Sequence, residues 1–412
     1  MDTAQRPGAR RSSGSHIEGP SIAVLPFVNI SKDPEQEYFA DGIVEDIIAA
    51  LSRFKSFFVI ARNSTFVYKD RAVGVQQIGR ELGVRYVLEG SVRRSGPRIR
   101  ITAQLVDAST GMHLWAEHYD GVVEDVFDLQ DRITASVVGS IQPSIRTAEI
   151  ERARRKRPEN LDAYDLVMRA LPHVWALEFE PNKEAVRLLD KALLLEPGYP
   201  LAIALAAWCR GQRIVYNWSK NLQEDKRETL RQAQMAAGLA HDDPFILTVL
   251  GAALTITREF QRATSMLERA LSLDPNSAWA WNRSGWLHNY HDDPEVAITH
   301  FERSLRLSPF DPMAFNCEVG IGCAHFIAKR YDLAAQWQKK ALEAKLSAIW
   351  IHRTLAPAYA LAGEMDKARE SVAEFMKAYP GIGIINILQA MAFSPEVMDR
   401  FAEGLRQAGL PE

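Results

Sequence analysis

The sequence predicts an α/β N-terminal domain, an open mixed sheet with flanking helices, followed by an all-α solenoid of repeated helix pairs. Three observations carry this. Between Phe260 and Pro309, Ala297 follows Ala263 and Pro309 follows Pro275 by the same 34 residues, so one two-helix unit has been copied. In residues 98–107, Ile99, Ile101, Ala103 and Leu105 alternate with Arg98, Arg100, Thr102 and Gln104, the pattern of a strand with one buried face. Ahead of the repeats, residues 20–145 alternate short apolar runs with helical spacings in the order β-α-β-α-β-β-β-α, which gives a sheet with helices packed against it.

Taken in order, residues 1–20 hold Arg6, Pro7, Arg10, Arg11 and a Ser-Gly-Ser run with no apolar stretch, predicting a disordered basic tail and no secretory signal. Ser21 to Phe27 is a continuous apolar run, predicted as a buried central strand. Asp33-Pro34-Glu35 supplies a cap, a first-turn proline and an acid. The helix behind it carries Phe39, Ile43, Ile47, Ala50, Leu51 and Phe54 at helical spacing. Phe57 to Ala61 is the next strand, and Val75 to Leu82 a short helix ended by Gly83. Tyr86 to Arg93 and Arg98 to Asp107 form a hairpin turning at Ser95-Gly96-Pro97. A last strand, Met112 to Tyr119, and a helix from about Val126 to Ile141 close the domain, set at residues 21–145.

Residues 146–160 are expected to be a basic helical linker, with Arg152, Arg154, Arg155, Lys156 and Arg157 ahead of Pro158. The reading adopted is a solvated helix end whose dipole favours cations. The alternative, an anchor for nucleic acid or acidic lipid, is disfavoured by the shortness of the run and its lack of interleaved aromatics.

From 161 to 380 the second-helix pattern recurs as Ala185, Leu189, Ala192, Pro197; Ala263, Leu267, Ala270, Pro275; Ala297, Phe301, Ser304, Pro309; Ala334, Gln338, Ala341; and Ala368 to Pro380. A degenerate unit at Ala233 to Pro244, with Asn217 to Asp225 as an inserted loop, fills the gap. That makes five or six repeats, with residues 381–412 as C-terminal capping helices. A small residue where helices cross closely, a Leu or aromatic four later and a terminal Pro resemble a tetratricopeptide repeat.

Phe39-Ala40-Asp41-Gly42-Ile43-Val44-Glu45-Asp46, Leu88-Glu89-Gly90-Ser91-Val92, Leu114-Trp115-Ala116-Glu117 and Asp128-Leu129-Gln130-Asp131 resemble the TolB-N-terminal-like domain of bacterial, especially rhizobial, regulators. In that family it joins a class III adenylate or guanylate cyclase domain, or a winged-helix DNA-binding domain, to tetratricopeptide repeats. The resemblance covers residues 21–412. With about twenty residues ahead of the first strand, neither effector domain is expected in this chain.

The composition, 47% apolar and 25% charged with a formal net charge of −3, is that of a globular protein without a general affinity for polyanions. Cys209, Cys317 and Cys323 are too few for a disulfide framework, and with the absent signal point to the cytoplasm. The longest apolar run, Phe245 to Ile256, is too short to span a bilayer, so no membrane span is expected. No phosphate loop, nucleophile elbow, H-E-x-x-H or C-x-x-C occurs, so no catalytic, cofactor or metal residues are expected.

Two constellations tempt. His241-Asp242-Asp243-Pro244 returns as His291-Asp292-Asp293-Pro294, read as capping between repeats against a metal alternative. Asp41 and Glu45 lie one turn apart, read as acids near a helix start against an acid/base pair. Gly320-Ile321-Gly322 and Gly381-Ile382-Gly383 read as close-packing or helix-end glycines.

What remains is surface. The helix from Ala278 to Tyr290 offers Trp279, Asn282, Arg283, Trp286 and Asn289 as a candidate groove, in which Asn would grip a peptide backbone and Trp anchor it. The competing reading has Trp281 and Trp286 filling the interhelix core. The expected function is a non-enzymatic interaction protein that binds a protein or peptide partner or senses a signal. The alternatives are the regulatory half of a class III cyclase, partnered by a separate cyclase or other effector, and a transcription-regulator fragment without its DNA reader. No nucleic-acid partner is expected.

Overall fold

The computed structural model describes residues 19–31, 34–54, 57–122, 126–240, 242–308, 311 and 313–412. The expected tail over residues 1–18, the capping Asp33, the acid side chain of Glu35, His241 of the first His-Asp-Asp-Pro and the terminal Pro309 lie outside that description.

The N-terminal unit runs β1 (Ser21–Val24), β2 (Val28–Asn29), α1 (Pro34–Leu51), β3 (Phe58–Val59), α2 (Arg62–Thr65), α3 (Val75–Leu82), β4 (Tyr86–Ser95), β5 (Arg98–Asp107), β6 (His113–Val122) and α4 (Val126–Arg155). The sheet order is β3-β1-β4-β5-β6, with β2 also pairing β4. β1 is parallel to β3 and β4, whereas β4, β5 and β6 are antiparallel. The expected strand Ser21 to Phe27 stops at Val24, ahead of Pro26, which has no N–H for the ladder; pairing with β4 resumes beyond it, at Val28 opposite Ser91. Phe27 then turns its ring onto Gly90, where a Cβ would lie 2.8 Å from ring carbons. Ile43, Ile47 and Leu51 of α1 and Val137 and Ile141 of α4 cover one face, against Ile22, Leu88, Ile101 and Leu105. α3 puts Ile78 on the other face, against Ala23, Val87 and Ala108.

α4 departs most from expectation. It continues through Pro143 to Arg155 without a break, a rod of roughly 45 Å at 1.5 Å per residue. The proline costs one backbone hydrogen bond, to residue 139, and that residue is a glycine with no side chain to obstruct the ring. Burial holds the rest in line. Ile133, Val137, Ile141 and Ile145 belong to the sheet core, and the same helix then carries Ile150 and Ala153 into the core of the solenoid. The boundary expected at 145/146 therefore falls inside a helix.

The helical part runs α5 (Ala163–Ala176), α6 (Phe179–Leu195), α7 (Pro200–Val215), α8 (Leu222–Leu239), α9 (Pro244–Ile256), α10 (Phe260–Leu273), α11 (Ala278–Tyr290), α12 (Pro294–Leu307), α13 (Ala314–Ile327), α14 (Tyr331–Ala344), α15 (His352–Leu361), α16 (Met365–Ala378), α17 (Ile384–Ala390) and α18 (Pro395–Gln407). α5 to α16 pack as six consecutive hairpins, which is the tetratricopeptide architecture. The 34-residue copy has a direct steric meaning. A Cβ on Gly251 would lie 2.6 Å from Leu267, and one on Gly285 would lie 2.8 Å from Phe301, so glycine on each first helix admits the large side chain of the second. Gly320 and Gly322 do the same for Phe301 and Gln338, as close-packing glycines. Burying Phe301 contributes about 2–3 kcal/mol. The inserted loop is shorter than expected, since Asp225 already belongs to the first turn of α8, which Asn221 caps.

The array does not remain an open coil. Its last hairpins return to its first, where Trp350 Nε1 donates to Leu177 O at 3.2 Å, Trp218 Nε1 to Tyr379 Oη at 3.2 Å and Asn217 Nδ2 to Asn386 O at 2.7 Å. Ser347 Oγ and Lys345 Nζ both reach Glu178 Oε1, at 2.8 and 3.1 Å.

Candidate functional site in the solenoid

Closure has two consequences, a lined cavity at the centre and an open cleft at the seam. The first helices α7, α9, α11, α13 and α15 converge on a cavity of about 40 Å³ whose walls include Trp208, Tyr216, Trp286, Tyr290, Trp350 and Phe393. Two arginines also line it. Arg283 is 5% exposed and Arg353 6%, and no carboxylate is among the lining residues. Arg283 Nε donates to Asn282 Oδ1 at 2.7 Å, and its Nη2 reaches Asn316 Oδ1, which also accepts from Trp286 Nε1 at 2.9 Å. These acceptors are neutral, so they satisfy geometry without cancelling charge; burial pulls the Arg283 guanidinium below its ordinary value. Arg353 donates from Nη1 to Val215 O, while its Nε has no hydrogen-bond partner. Its guanidinium carbon lies 5.4 Å from the Tyr216 ring centre and 5.7 Å from that of Trp350, and the carbon of Arg283 5.4 Å from Trp208, so ring faces supply part of the missing stabilisation.

The five groove residues expected on α11 divide. Arg283 and Trp286 line the cavity. Trp279 packs against Phe245 and Trp208, with ring centres at 5.3 and 6.4 Å. Asn282 and Asn289 are buried and turned toward α13, where Asn282 Nδ2 meets Cys317 Sγ at 2.7 Å and Asn289 Nδ2 donates to Gly320 O at 2.9 Å. Trp281 stands apart, its ring edge-on to His300 at 4.8 Å. Sequence reasoning missed Arg353, Trp350, Tyr216 and Trp208. A signal existed: Trp286 and Tyr290 stand 34 residues after Ala252 and Ile256, and Trp350 and Arg353 stand 34 after Asn316 and Val319, so the lining shares one register of the first helices.

The seam cleft encloses about 760 Å³ and is lined from both ends of the array, by Phe179, Trp218 and Lys220 on one side and Ile349, Tyr379 and Asn386 on the other. Phe179 is 42% exposed, with Lys183 Nζ 4.3 Å from its ring centre.

The other expected constellations resolve locally. Asp243 accepts from the N–H of Phe245 and Ile246 at 2.9 and 3.0 Å, capping α9. Asp293 takes the equivalent place before Pro294 without a side-chain cap, lying 3.5 Å from His288 Nδ1. Among the described residues no group of three His, Cys, Asp or Glu side chains is placed to hold a metal. All three cysteines are buried and free, and burial pushes the Cys323 thiol to about 12 and Cys317 to about 11. Asp41 lies in mid-helix rather than the first turn and pairs with Lys69 at 2.8 Å; Glu45 is 3.6 Å from Arg62.

Of the basic run, Arg154, Arg155 and Arg157 are exposed, as expected of a solvated helix end, whereas Arg152 and Lys156 join an ion-pair network at the junction of the two units. Glu149, with no exposed surface, accepts from Arg85 Nη1 and Tyr86 Oη at 2.5 Å each and from Arg152 Nη2 at 3.0 Å. Arg152 and Lys156 go on to Asp165 at the start of α5. Burial raises the Glu149 carboxyl, but Arg85, Tyr86 and Arg152 outweigh it and hold the group below its ordinary value. No described helix is long and apolar enough to cross a membrane.

Residues 18–136 match the family described as HilA/YgeH-like transcriptional regulator, second domain. Over 244 residues the chain is 42% identical to the putative adenylate cyclase 3 of Rhizobium meliloti strain 1021, covering 59% of this chain and 42% of that relative. Thus it spans less than half of the relative's length. Among solved structures it is similar to the Cut9–Hcn1 hetero-tetramer of the APC/C, at 16% identity and TM-score 0.44, over 69% of this chain and 49% of that one. It is also similar to YrrB, described as a TPR protein with an unusual peptide-binding site, at 20% identity and TM-score 0.30, over 43% and 90%. TolB from Acinetobacter baumannii matches at 18% identity and TM-score 0.23, over 31% of this chain and 28% of that one.

Proposed function

We propose that this chain is a non-enzymatic regulatory module of the cytoplasm whose solenoid binds a protein partner through the seam cleft. Residues 21–145 would form a TolB-N-terminal-like unit and residues 161–380 the repeats. The observation that carries the reading is the contrast between a concave centre with room for only about 40 Å³ and a cleft of about 760 Å³ open to solvent, within the range of volumes that hold ligands. Exposed aromatic surface at Phe179, between Glu178 and Glu180 and across from the Asn386 amide with Lys220 nearby, suits an extended segment with an apolar anchor and polar neighbours.

The test is a pull-down from lysate of the source cells with the full chain, beside Phe179→Asp combined with Lys220→Glu. A specific protein retained by the parent should be lost by the variant at unchanged Tm. Equal retention by both would exclude the seam.

A second reading, the regulatory half of a class III cyclase, is favoured by the relative named a putative adenylate cyclase. Mixing this chain with that relative's remaining portion, with ATP and manganese, should then change cyclic AMP output. A third, a transcription-regulator fragment, is favoured by the HilA/YgeH-like match and predicts salt-dependent DNA binding.

A further inference from the structure

We infer that the central cavity is a binding site for a small planar monoanion of the carboxylate, bicarbonate or nitrate class, held by Arg353 and Arg283 between aromatic walls. This goes beyond the partner-binding reading and does not depend on it.

Both guanidiniums are more than nine-tenths buried, and neither forms an ion pair with a described residue. A solvated surface tolerates a lone cation, but a closed aromatic interior does not, so two cations around one cavity create a strongly positive interior. Arg353 Nε, unpartnered on a residue lining that cavity, is a donor without an acceptor. The nearby Asn316 Oδ1 is already shared by Arg283 and Trp286, and the other lining acceptors are neutral hydroxyls and carbonyls that leave the charge uncancelled.

Size and shape narrow the ligand. At roughly 10–15 Å³ per water-sized body, 40 Å³ accommodates about three or four non-hydrogen atoms. A guanidinium edge matches two coplanar oxygens, and room for about three or four atoms suits a planar ion better than a five-atom tetrahedral one, beside the Tyr216 and Trp350 rings that meet at 4.7 Å. Thr354, whose hydroxyl donates to Gln338 Oε1 at 2.7 Å, and Cys323 complete a rim with no negative charge.

The walls provide the readout, since Trp208, Trp286 and Trp350 all border the site. The full chain is titrated with sodium acetate, bicarbonate, nitrate, chloride and sulfate, ionic strength being held constant, while tryptophan fluorescence and Tm are followed. Planar monoanions should give saturable changes in both, and sulfate none. Arg353→Gln should weaken the half-saturating concentration about tenfold or more. Arg283→Gln serves as the second variant if the first does not fold. Identical responses to every salt, or saturation unaltered in a folded variant, would overturn the assignment; saturation by chloride alone would replace the planar class with a spherical halide. Retention of a partner at the seam is scored separately, so either result stands without the other.

Discussion

The junction between the sheet and the repeats and the centre of the solenoid both bury charge, but in opposite ways. At the junction one inaccessible carboxylate, Glu149, is surrounded by Arg85, Arg152 and the Tyr86 hydroxyl, and the chain of opposite charges continues to Asp165 and Lys156. At the centre Arg283 and Arg353 meet neutral amides, carbonyls and ring faces. The first arrangement is complete within the protein and fixes how two units dock. The second is incomplete, and buried polar groups left incomplete mark places where something other than stability has been served.

The largest effect that sharpens this contrast is expected from Glu149→Ala. It removes the buried acceptor shared by Arg85, Tyr86 and Arg152, of which Arg152 keeps Asp165 and both arginines keep some solvent, and should cost about 3 kcal/mol in urea unfolding. A loss below about 1 kcal/mol would mean that the junction is not held by that carboxylate.

Asp274 comes next. Burial lifts its carboxyl to about 6 from an ordinary 3.8, against the opposing pull of the Asn276 N–H and Arg146. Because the folded value exceeds the unfolded one, the folded state holds the extra proton between about pH 4 and 6, and stability falls as pH rises through 6. Asp274→Asn should therefore gain about 1–2 kcal/mol above pH 7 and flatten the profile between about pH 4 and 6. An unchanged slope between about pH 4 and 6 would refute this.

The smallest effect, opposite in sign to that of Glu149, belongs to Arg353→Met. Replacing a lone buried cation by an apolar side chain of similar length should leave stability within about 1 kcal/mol or raise it. A loss as large as that of Glu149→Ala would erase the distinction.

Much of this fold is legible in the chain because its strongest constraints are local. The alternation in residues 98–107 gives β5, whose Ile99, Ile101, Ala103 and Leu105 are all buried. α3 runs over the expected Val75 to Leu82, with Gly83 at φ +67° where a left-handed cap was needed. Ala263 and Ala297 mark close helix crossings because only a small side chain fits there. What stayed hidden depends on distant parts meeting. α4 passes through Pro143 because two cores claim successive turns of it, which no local rule anticipates. The cavity unites Trp208 with Phe393, residues that adjoin only because the array curves back on itself. Asn282 and Asn289 look like surface amides in a single repeat, and only the following hairpin buries them.

The clasp between first and last hairpins changes what kind of object the repeats make. An open stack can fray one unit at a time from either tip, and it can lengthen or shorten like a spring. Here the tips hold each other through Leu177, Trp218, Trp350 and Tyr379, so loosening one end surrenders bonds belonging to the other. Such a loop should melt as a single event, and its elasticity is concentrated in the seam.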